Sequence, residues 1–248
     1  MKREFGLLGF ELKHSFSKAY FEKKFAQLNF PDYSYNNFEI KSVLEFREIL
    51  KAHPLLSGLN VTLPYKESII TLLDELDAEA EAIGAVNCIQ IAGGKTKGFN
   101  TDVYGFSQSI KPFLDHHHER ALILGTGGAA RAVNFALKRL GVETAFLTSQ
   151  ASKRKPGVFL YTEANERMLQ AYKLVVNASP LGMYPKVEQC PDLPYQYFGP
   201  EHLAFDLVYN PEETLFLKKA RASGATGLNG LSMLHLQAEK SWEIWNNT

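Results

Sequence analysis

The sequence predicts a two-lobed α/β protein whose second lobe is a doubly wound parallel sheet and whose last helix returns to the first lobe. Strand-sized apolar runs alternate with segments of helical period along the chain. A glycine-rich turn stands between the apolar run Ala121–Leu124 and a helical pattern. A connecting helix and the polar tract Asp115-His116-His117-His118-Glu119 separate the two halves. At 248 residues the chain has room for two modest domains, which usually run to roughly 100–200 residues.

Phe5–Phe10 is the first strand, and Ser17 caps a helix with Phe21, Phe25 and Leu28 on its apolar face. Leu59–Leu63 is a second strand, ended by Pro64. Val86–Ile91 and Thr96–Phe99 pair across the turn Gly93-Gly94. Asp102–Lys111 is the connecting helix. After the polar tract come the strand Ala121–Leu124, a helix from Gly128 to Leu140, and the strand Thr144–Thr148. Leu174–Asn177 and Leu203–Leu207 are later strands, and Leu231–Trp245 closes the chain as an amphipathic helix. The domains this implies are residues 1–102, residues 103–230, and a C-terminal helix, 231–248, packing back on the first domain.

Lys+Arg and Asp+Glu are both 27, so no net positive field recruits nucleic acid or an anionic membrane. Apolar stretches stay far below the roughly 20 residues of a spanning helix, and the N-terminal run reads as a strand rather than a signal peptide. Cys88 and Cys190 form neither a CxxC pair nor a disulfide framework, which suits a reducing cytoplasm. His116-His117-His118 reads as a solvated loop, so no metal is expected. A small-molecule ligand is the expected partner, and monomer or homodimer stays open.

Gly125-Thr126-Gly127-Gly128-Ala129-Ala130 follows a strand and opens a helix, as a dinucleotide-binding (Rossmann-type) turn does. Gly125 permits the turn, Gly127 lets backbone approach a pyrophosphate, and small Ala130 lets helix pack on strand. N–H groups at the helix start attract phosphate. The next strand ends in Thr148-Ser149-Gln150, without the acid that would accept the ribose hydroxyls of NAD, and Ser152-Lys153-Arg154-Lys155 follows. Hydroxyls and cations favour the 2′-phosphate of NADP over NAD, with Arg154 as the candidate guanidinium.

In the first lobe, Asn60-Val61-Thr62-Leu63-Pro64-Tyr65-Lys66 alternates polar and apolar residues, so Asn60 and Thr62 leave the strand on one face. Pro64 then delivers Lys66 at the start of the next helix, where the dipole disfavours a cation. If Lys66 meets Asp102, the pair supplies a positioned proton donor and a carboxylate that orients it. His14-Ser15-Phe16-Ser17 offers two hydroxyls suited to a carboxylate.

These motifs resemble, in order and spacing, those of the shikimate dehydrogenase family. So do Gly84-Ala85-Val86-Asn87, Asn100-Thr101-Asp102, Asn177–Met183, Asp206-Leu207-Val208-Tyr209, and Gly230-Leu231-Ser232-Met233-Leu234 with Gln237. The resemblance implies a substrate domain followed by an NADP-binding domain, and NADPH-dependent reduction of 3-dehydroshikimate to shikimate. It implies that Ser15, Ser17 and Tyr209 hold the substrate carboxylate. Asn60, Thr62, Asn87, Asp102 and Gln237 would bind ring hydroxyls, and Lys66 paired with Asp102 would be the acid/base. Ser179, Met183, Gly230 and Met233 would line the nicotinamide side. The family commonly ends its second cofactor-domain strand in Asn-Arg-Thr, which is missing here, and Pro156-Gly157 interrupts the usual following helix. Two other readings remain: an NAD-dependent quinate/shikimate dehydrogenase, and a non-catalytic dinucleotide or metabolite sensor.

Overall fold

The computed structural model describes residues 2–12 and 15–247, so His14 of the serine loop lies outside the described residues. The chain forms two compact units, Met1–Thr101 with Ala238–Thr248, and Asp102–Gln237.

The first unit is a mixed sheet of β1 (Arg3–Gly9), β2 (Tyr33–Glu39), β3 (Leu56–Val61), β4 (Glu75–Leu76), β5 (Cys88–Ala92) and β6 (Lys95–Phe99), in the order β2-β1-β3-β5-β6-β4. β2, β1 and β3 run parallel, whereas β5 is antiparallel to both β3 and β6. Phe5–Gly9 and Leu59–Val61 are buried throughout, as expected of parallel strands covered on both faces. Helices α1 (Phe16–Gln27), α2 (Phe46–Ala52) and α3 (Ala78–Ile83) belong to this unit. One core cluster joins Phe5, Phe21, Phe25, Tyr35 and Trp245, with the Phe21 and Tyr35 rings stacked at 4.7 Å.

Three sequence expectations need correction here. Ser15, not Ser17, is the N-cap of α1, its hydroxyl accepting from the Ser17 N–H at 3.3 Å. Leu28 is the C-cap and is 45% exposed, because the helix ends one residue before the apolar stripe would have used it. Lys66 does not start an α-helix. Residues 63–67 form turns that lead into a 3-10 helix over Ser68–Leu72, so the helix-dipole argument does not apply to it.

The second unit is a parallel sheet of β7 (Arg120–Leu124), β8 (Glu143–Thr148), β9 (Val158–Leu160), β10 (Leu174–Asn177), β11 (Leu203–Asp206) and β12 (Thr226–Leu228). Its order, β12-β11-β10-β7-β8-β9, reverses direction between β7 and β10, which makes it doubly wound. Helices α4 (Asp102–Ile110), α5 (Gly128–Arg139), α6 (Glu166–Ala171) and α7 (Leu215–Ala222) lie in this unit. The last helix, α8 (Leu231–Asn246), starts in the second unit and from Ala238 onward packs within the first. Among the described residues no helix is long and apolar enough to cross a membrane.

Candidate active site

The carboxyl end of β3 carries a buried polar network. Asn60 Oδ1 accepts from the Tyr35 hydroxyl at 2.9 Å, and its Nδ2 donates to Asn87 O at 3.3 Å and to Ser241 Oγ at 2.9 Å. Asn87 Nδ2 donates to Thr101 Oγ1 at 3.0 Å, and Asn87 Oδ1 accepts from the Thr101 N–H at 2.6 Å. Thr101 and Ser241 hydroxyls meet at 3.2 Å. Ser17, in the first turn of α1, also hydrogen-bonds Tyr35, whose pKa burial drives well upward. Such a network in a low-dielectric interior fixes each amide in one orientation. Burial also pushes the Cys88 thiol up to about 12, so it stays protonated and inert.

Lys66 joins this end of the unit through its backbone. Its carbonyl accepts from the Val86 N–H at 2.7 Å, one residue from Asn87. The turn itself is pinned by Tyr65, buried, whose hydroxyl donates to Ile40 O at 2.7 Å. Thr62 lies just past the end of β3, continuing its pairing through an N–H to Leu8 O at 2.9 Å. Ser15, Ser17, Asn60, Thr62, Lys66 and Asn87 are thus grouped at one end of the first unit. Sequence reading missed Tyr35 and Ser241 in this network and gave Thr101 no role.

In the second unit the glycine turn sits at the point where strand order reverses. Gly125 has φ +105°, and a Cβ there would lie 3.3 Å from Ala178 O, beside Ser179. The Ala178 N–H donates to Leu124 O at 3.0 Å, locking the two strand ends together. Gly127 is the N-cap of α5 with no side-chain cap, and a Cβ on it would meet nothing within 4 Å. Thr126 and Ala129 are partly exposed around this opening, while Gly128 and Ala130 are buried against the sheet. An uncapped helix N-terminus behind an open glycine is a cradle for a pyrophosphate, so these residues fit a dinucleotide.

Beside the turn, Asn177 Nδ2 donates to Asp206 Oδ1 at 2.9 Å, and its Oδ1 accepts from the Ser179 hydroxyl at 2.6 Å. Asp206 also accepts from Val208 N–H at 3.0 Å and Thr214 Oγ1 at 2.6 Å. Burial nevertheless raises its pKa to about 7, against an unfolded value of roughly 3.9. A raised carboxyl stabilises the fold fully below the unfolded pKa and loses that contribution as pH climbs towards 7. Asp206→Asn, which can still accept through Oδ1 and donate to Thr214, should remove this slope. The stability of wild type relative to the variant should fall by a few kcal/mol from pH 4 to pH 7.5, at about 1.4 kcal/mol per pKa unit. Urea unfolding at both pH values measures it, and a pH-independent difference would refute the assignment.

Tyr209, partly buried, follows this loop, and Gly230 packs on it so closely that a Cβ would lie 2.2 Å from Leu207 O. Met233 and Gln237 of α8 pack on Gly105 of α4, whose absent Cβ would meet Met233 O at 2.7 Å and Gln237 Cβ at 3.1 Å. Asp102 and Gln237 are both buried, and Asp102 shares the face of α4 that carries Gly105. Met183, at 44% exposure, lies beyond Ser179.

At the end of β8, Thr148 is buried, and its hydroxyl accepts from the Gln150 N–H at 3.2 Å, while Ser149 is exposed. Arg154 Nη2 donates to Glu163 Oε1 at 2.6 Å. His116 and His117 bring ligand atoms within 4.8 Å of one another and of Asp115, on a surface turn whose carboxylate accepts from the His117 N–H at 2.8 Å. His118 departs from the solvated reading: it is 6% exposed, and its Nδ1 accepts from the Asp115 N–H at 3.1 Å.

Residues 7–89 match the family described as shikimate dehydrogenase substrate binding domain. A shikimate dehydrogenase (NADP(+)) of Desulforamulus reducens is 36% identical over 258 residues, covering 97% of this chain and 88% of the relative. The solved shikimate 5-dehydrogenase of Thermus thermophilus, in complex with NADP(H) and shikimate, is similar at TM-score 0.87 and 31% identity, over 99% of this chain and 94% of that one. A quinate dehydrogenase from Corynebacterium glutamicum, in complex with NAD, is similar at TM-score 0.85 and 27% identity, covering 100% and 94%.

Proposed function

Because the chain belongs to the shikimate dehydrogenase family, we propose that it catalyses the reversible NADPH-dependent reduction of 3-dehydroshikimate to shikimate. The observation that carries this reading is the hydrogen bond from Val86 N–H to Lys66 O, which seats a lysine-bearing turn one residue from Asn87 and its buried amide network. Amides and hydroxyls fixed by mutual hydrogen bonds suit a polyol ring, and the lysine borne by the adjoining turn is the group that can supply a proton.

When bound, NADPH supplies the hydride for the C3 carbonyl carbon. Lys66 gives its proton to the carbonyl oxygen as that oxygen becomes a hydroxyl, and takes the proton back in the reverse direction. Asp102 orients the lysine and binds a ring hydroxyl. Ser15, Ser17 and Tyr209 hold the carboxylate, while Asn60, Thr62, Asn87 and Gln237 read the remaining hydroxyls. Both N–H bonds of Asn60 are engaged, so its contact to substrate is through the second lone pair of Oδ1. On the cofactor side, Gly125, Thr126, Gly127, Gly128, Ala129 and Ala130 cradle the pyrophosphate. Ser179, Met183, Gly230 and Met233 line the nicotinamide, and Thr148 and Ser149 shape the adenosine end. Most of the substrate residues belong to the first unit and the cofactor residues to the second, in an enzyme of the cytoplasm that works as monomer or homodimer.

The second reading, an NAD-dependent quinate/shikimate dehydrogenase, is favoured by one feature, the lack of an arginine in Thr148-Ser149-Gln150. Comparing kcat/KM for shikimate and quinate with each cofactor tests both. NADP with shikimate is expected to be the preferred pair. No turnover with any pair would leave a metabolite sensor in place of an enzyme.

A further inference from the structure

We propose that Asp115, His116 and His117 form a surface site for zinc, at the end of the second unit's sheet opposite the glycine turn and against the expectation that this tract is only a solvated loop. Each residue offers one ligand atom, and these atoms lie within 4.8 Å of one another. The rings of His116 and His117 are 3.9 Å apart at their centroids, tilted by 41°. A turn brings them together. The His118 N–H donates to Asp115 O at 3.1 Å, which makes 115–118 a β-turn with aspartate first and two histidines at its corners. Asp115 Oδ1 accepts from the His117 N–H at 2.8 Å, and that bond, aided by the neighbouring imidazoles, holds the carboxyl below the usual carboxylate range. Oδ2 takes no part in that bond and can ligate.

Behind the turn, His118 is 6% exposed, and burial lowers its pKa. Its Nδ1 accepts from the Asp115 N–H at 3.1 Å, so Nε2 carries the proton. That nitrogen lies towards the Glu201 backbone, buried and without a hydrogen bond of good geometry. Asp115, His117 and His118 line one pocket of about 360 Å³, together with Phe113, Glu201 and His202. An unused buried N–H is usually met by an ordered water or a ligand oxygen, and a hydrated cation on the turn brings such oxygens to the pocket.

Two imidazoles and one carboxylate suit zinc, whereas magnesium and calcium favour oxygen ligands. Metal–ligand bonds of about 2.0–2.2 Å put ligand atoms about 3.3 Å apart in a tetrahedral site. Asp115 and His116 are exposed and His117 is half-buried, so the three side chains can close in by rotation about their own bonds. Three protein ligands leave the fourth position to water. The turn precedes β7, and Glu201 and His202 precede β11, so the site is at the amino ends of these strands. Gly125 is at the carboxyl end of β7. Zinc on this turn therefore clasps the second unit at the far end from its dinucleotide cradle, and its effect is on stability.

Calorimetric titration of the whole protein with zinc chloride tests this. Wild type should bind with a micromolar Kd, and the double variant His116→Ala/His117→Ala should weaken that binding at least tenfold. Asp115→Asn, whose Oδ1 still caps the turn, should weaken it at least about threefold. Saturating zinc should raise the melting temperature of wild type by a few degrees and leave the double variant unmoved, while magnesium chloride at the same concentration moves neither. Because both histidines stand on a surface turn, the double variant should melt with wild type when no metal is added. A wild-type Kd weaker than about 100 µM, or the same zinc affinity in both proteins, overturns the site. An equal zinc-induced shift in melting temperature in both proteins does so too.

Discussion

Lys66→Ala is expected to lower kcat by roughly 10²–10⁴-fold while KM for shikimate changes only a few fold. The proton it delivers is needed only as the carbonyl oxygen gains charge, so its loss falls on the transition state more than on the ground state. The fold should tolerate the change. The bond that ties this turn to the sheet is made by the Lys66 carbonyl to Val86, and alanine keeps it. Tyr65, which anchors the turn through Ile40, is also untouched. Calorimetric titration with 2′,5′-ADP should give the wild-type affinity, since the glycine turn belongs to the other unit. Steady-state kinetics with shikimate and NADP, alongside that titration, separate the outcomes. A loss confined to KM would make Lys66 a binding residue and remove the proposed proton source.

How far the sequence shows all this depends on what each residue interacts with. The central strands of the second unit are apolar runs buried on both faces, so Ala121–Leu124 and Leu174–Asn177 declare themselves by composition, and the glycine turn by its place after one of them. β2 is different. Tyr33–Glu39 is a polar edge strand in which only Tyr35 and Phe38 are buried, and its sole signal is the aromatic alternation at 33 and 35. Tyr35 therefore escaped notice, although it bridges Ser17 and Asn60. Ser241 escaped for another reason: a serine within a polar helical stretch becomes a network member only when α8 packs on the first unit's sheet. The turn at 63–67 shows the limit of local rules. Pro64 marked a boundary correctly but did not specify a 3-10 rather than an α continuation. Charge alone singles out Arg154, whereas its engagement by Glu163 is a tertiary contact that spacing does not reveal.

Trp245→Ala should cost about 3–5 kcal/mol of stability through lost burial and the cavity left behind, a large share of the roughly 5–15 kcal/mol of a typical domain. The indole is fully buried, lies 5.0 Å from the Phe5 ring and 5.3 Å from Phe21, and donates from Nε1 to Ile89 O at 3.0 Å. Deleting it also leaves that strand carbonyl without its side-chain donor. Trp245 and Ser241 are one helical turn apart, so loosening the ring loosens the hydroxyl that holds Asn60 and Thr101. Urea unfolding should show a lower midpoint with an unchanged slope, and the folded variant should show a raised KM for shikimate. Gly58 supplies an independent check. A Cβ there would stand 2.4 Å from the indole, so Gly58→Ala alone should destabilise by about 1–3 kcal/mol through overpacking. In the Trp245→Ala background the clash has no ring to meet, and the glycine change should cost far less. Strictly additive losses would mean that this ring does not hold the C-terminal helix to the sheet, and the route from α8 to the Asn60 network would have to be abandoned.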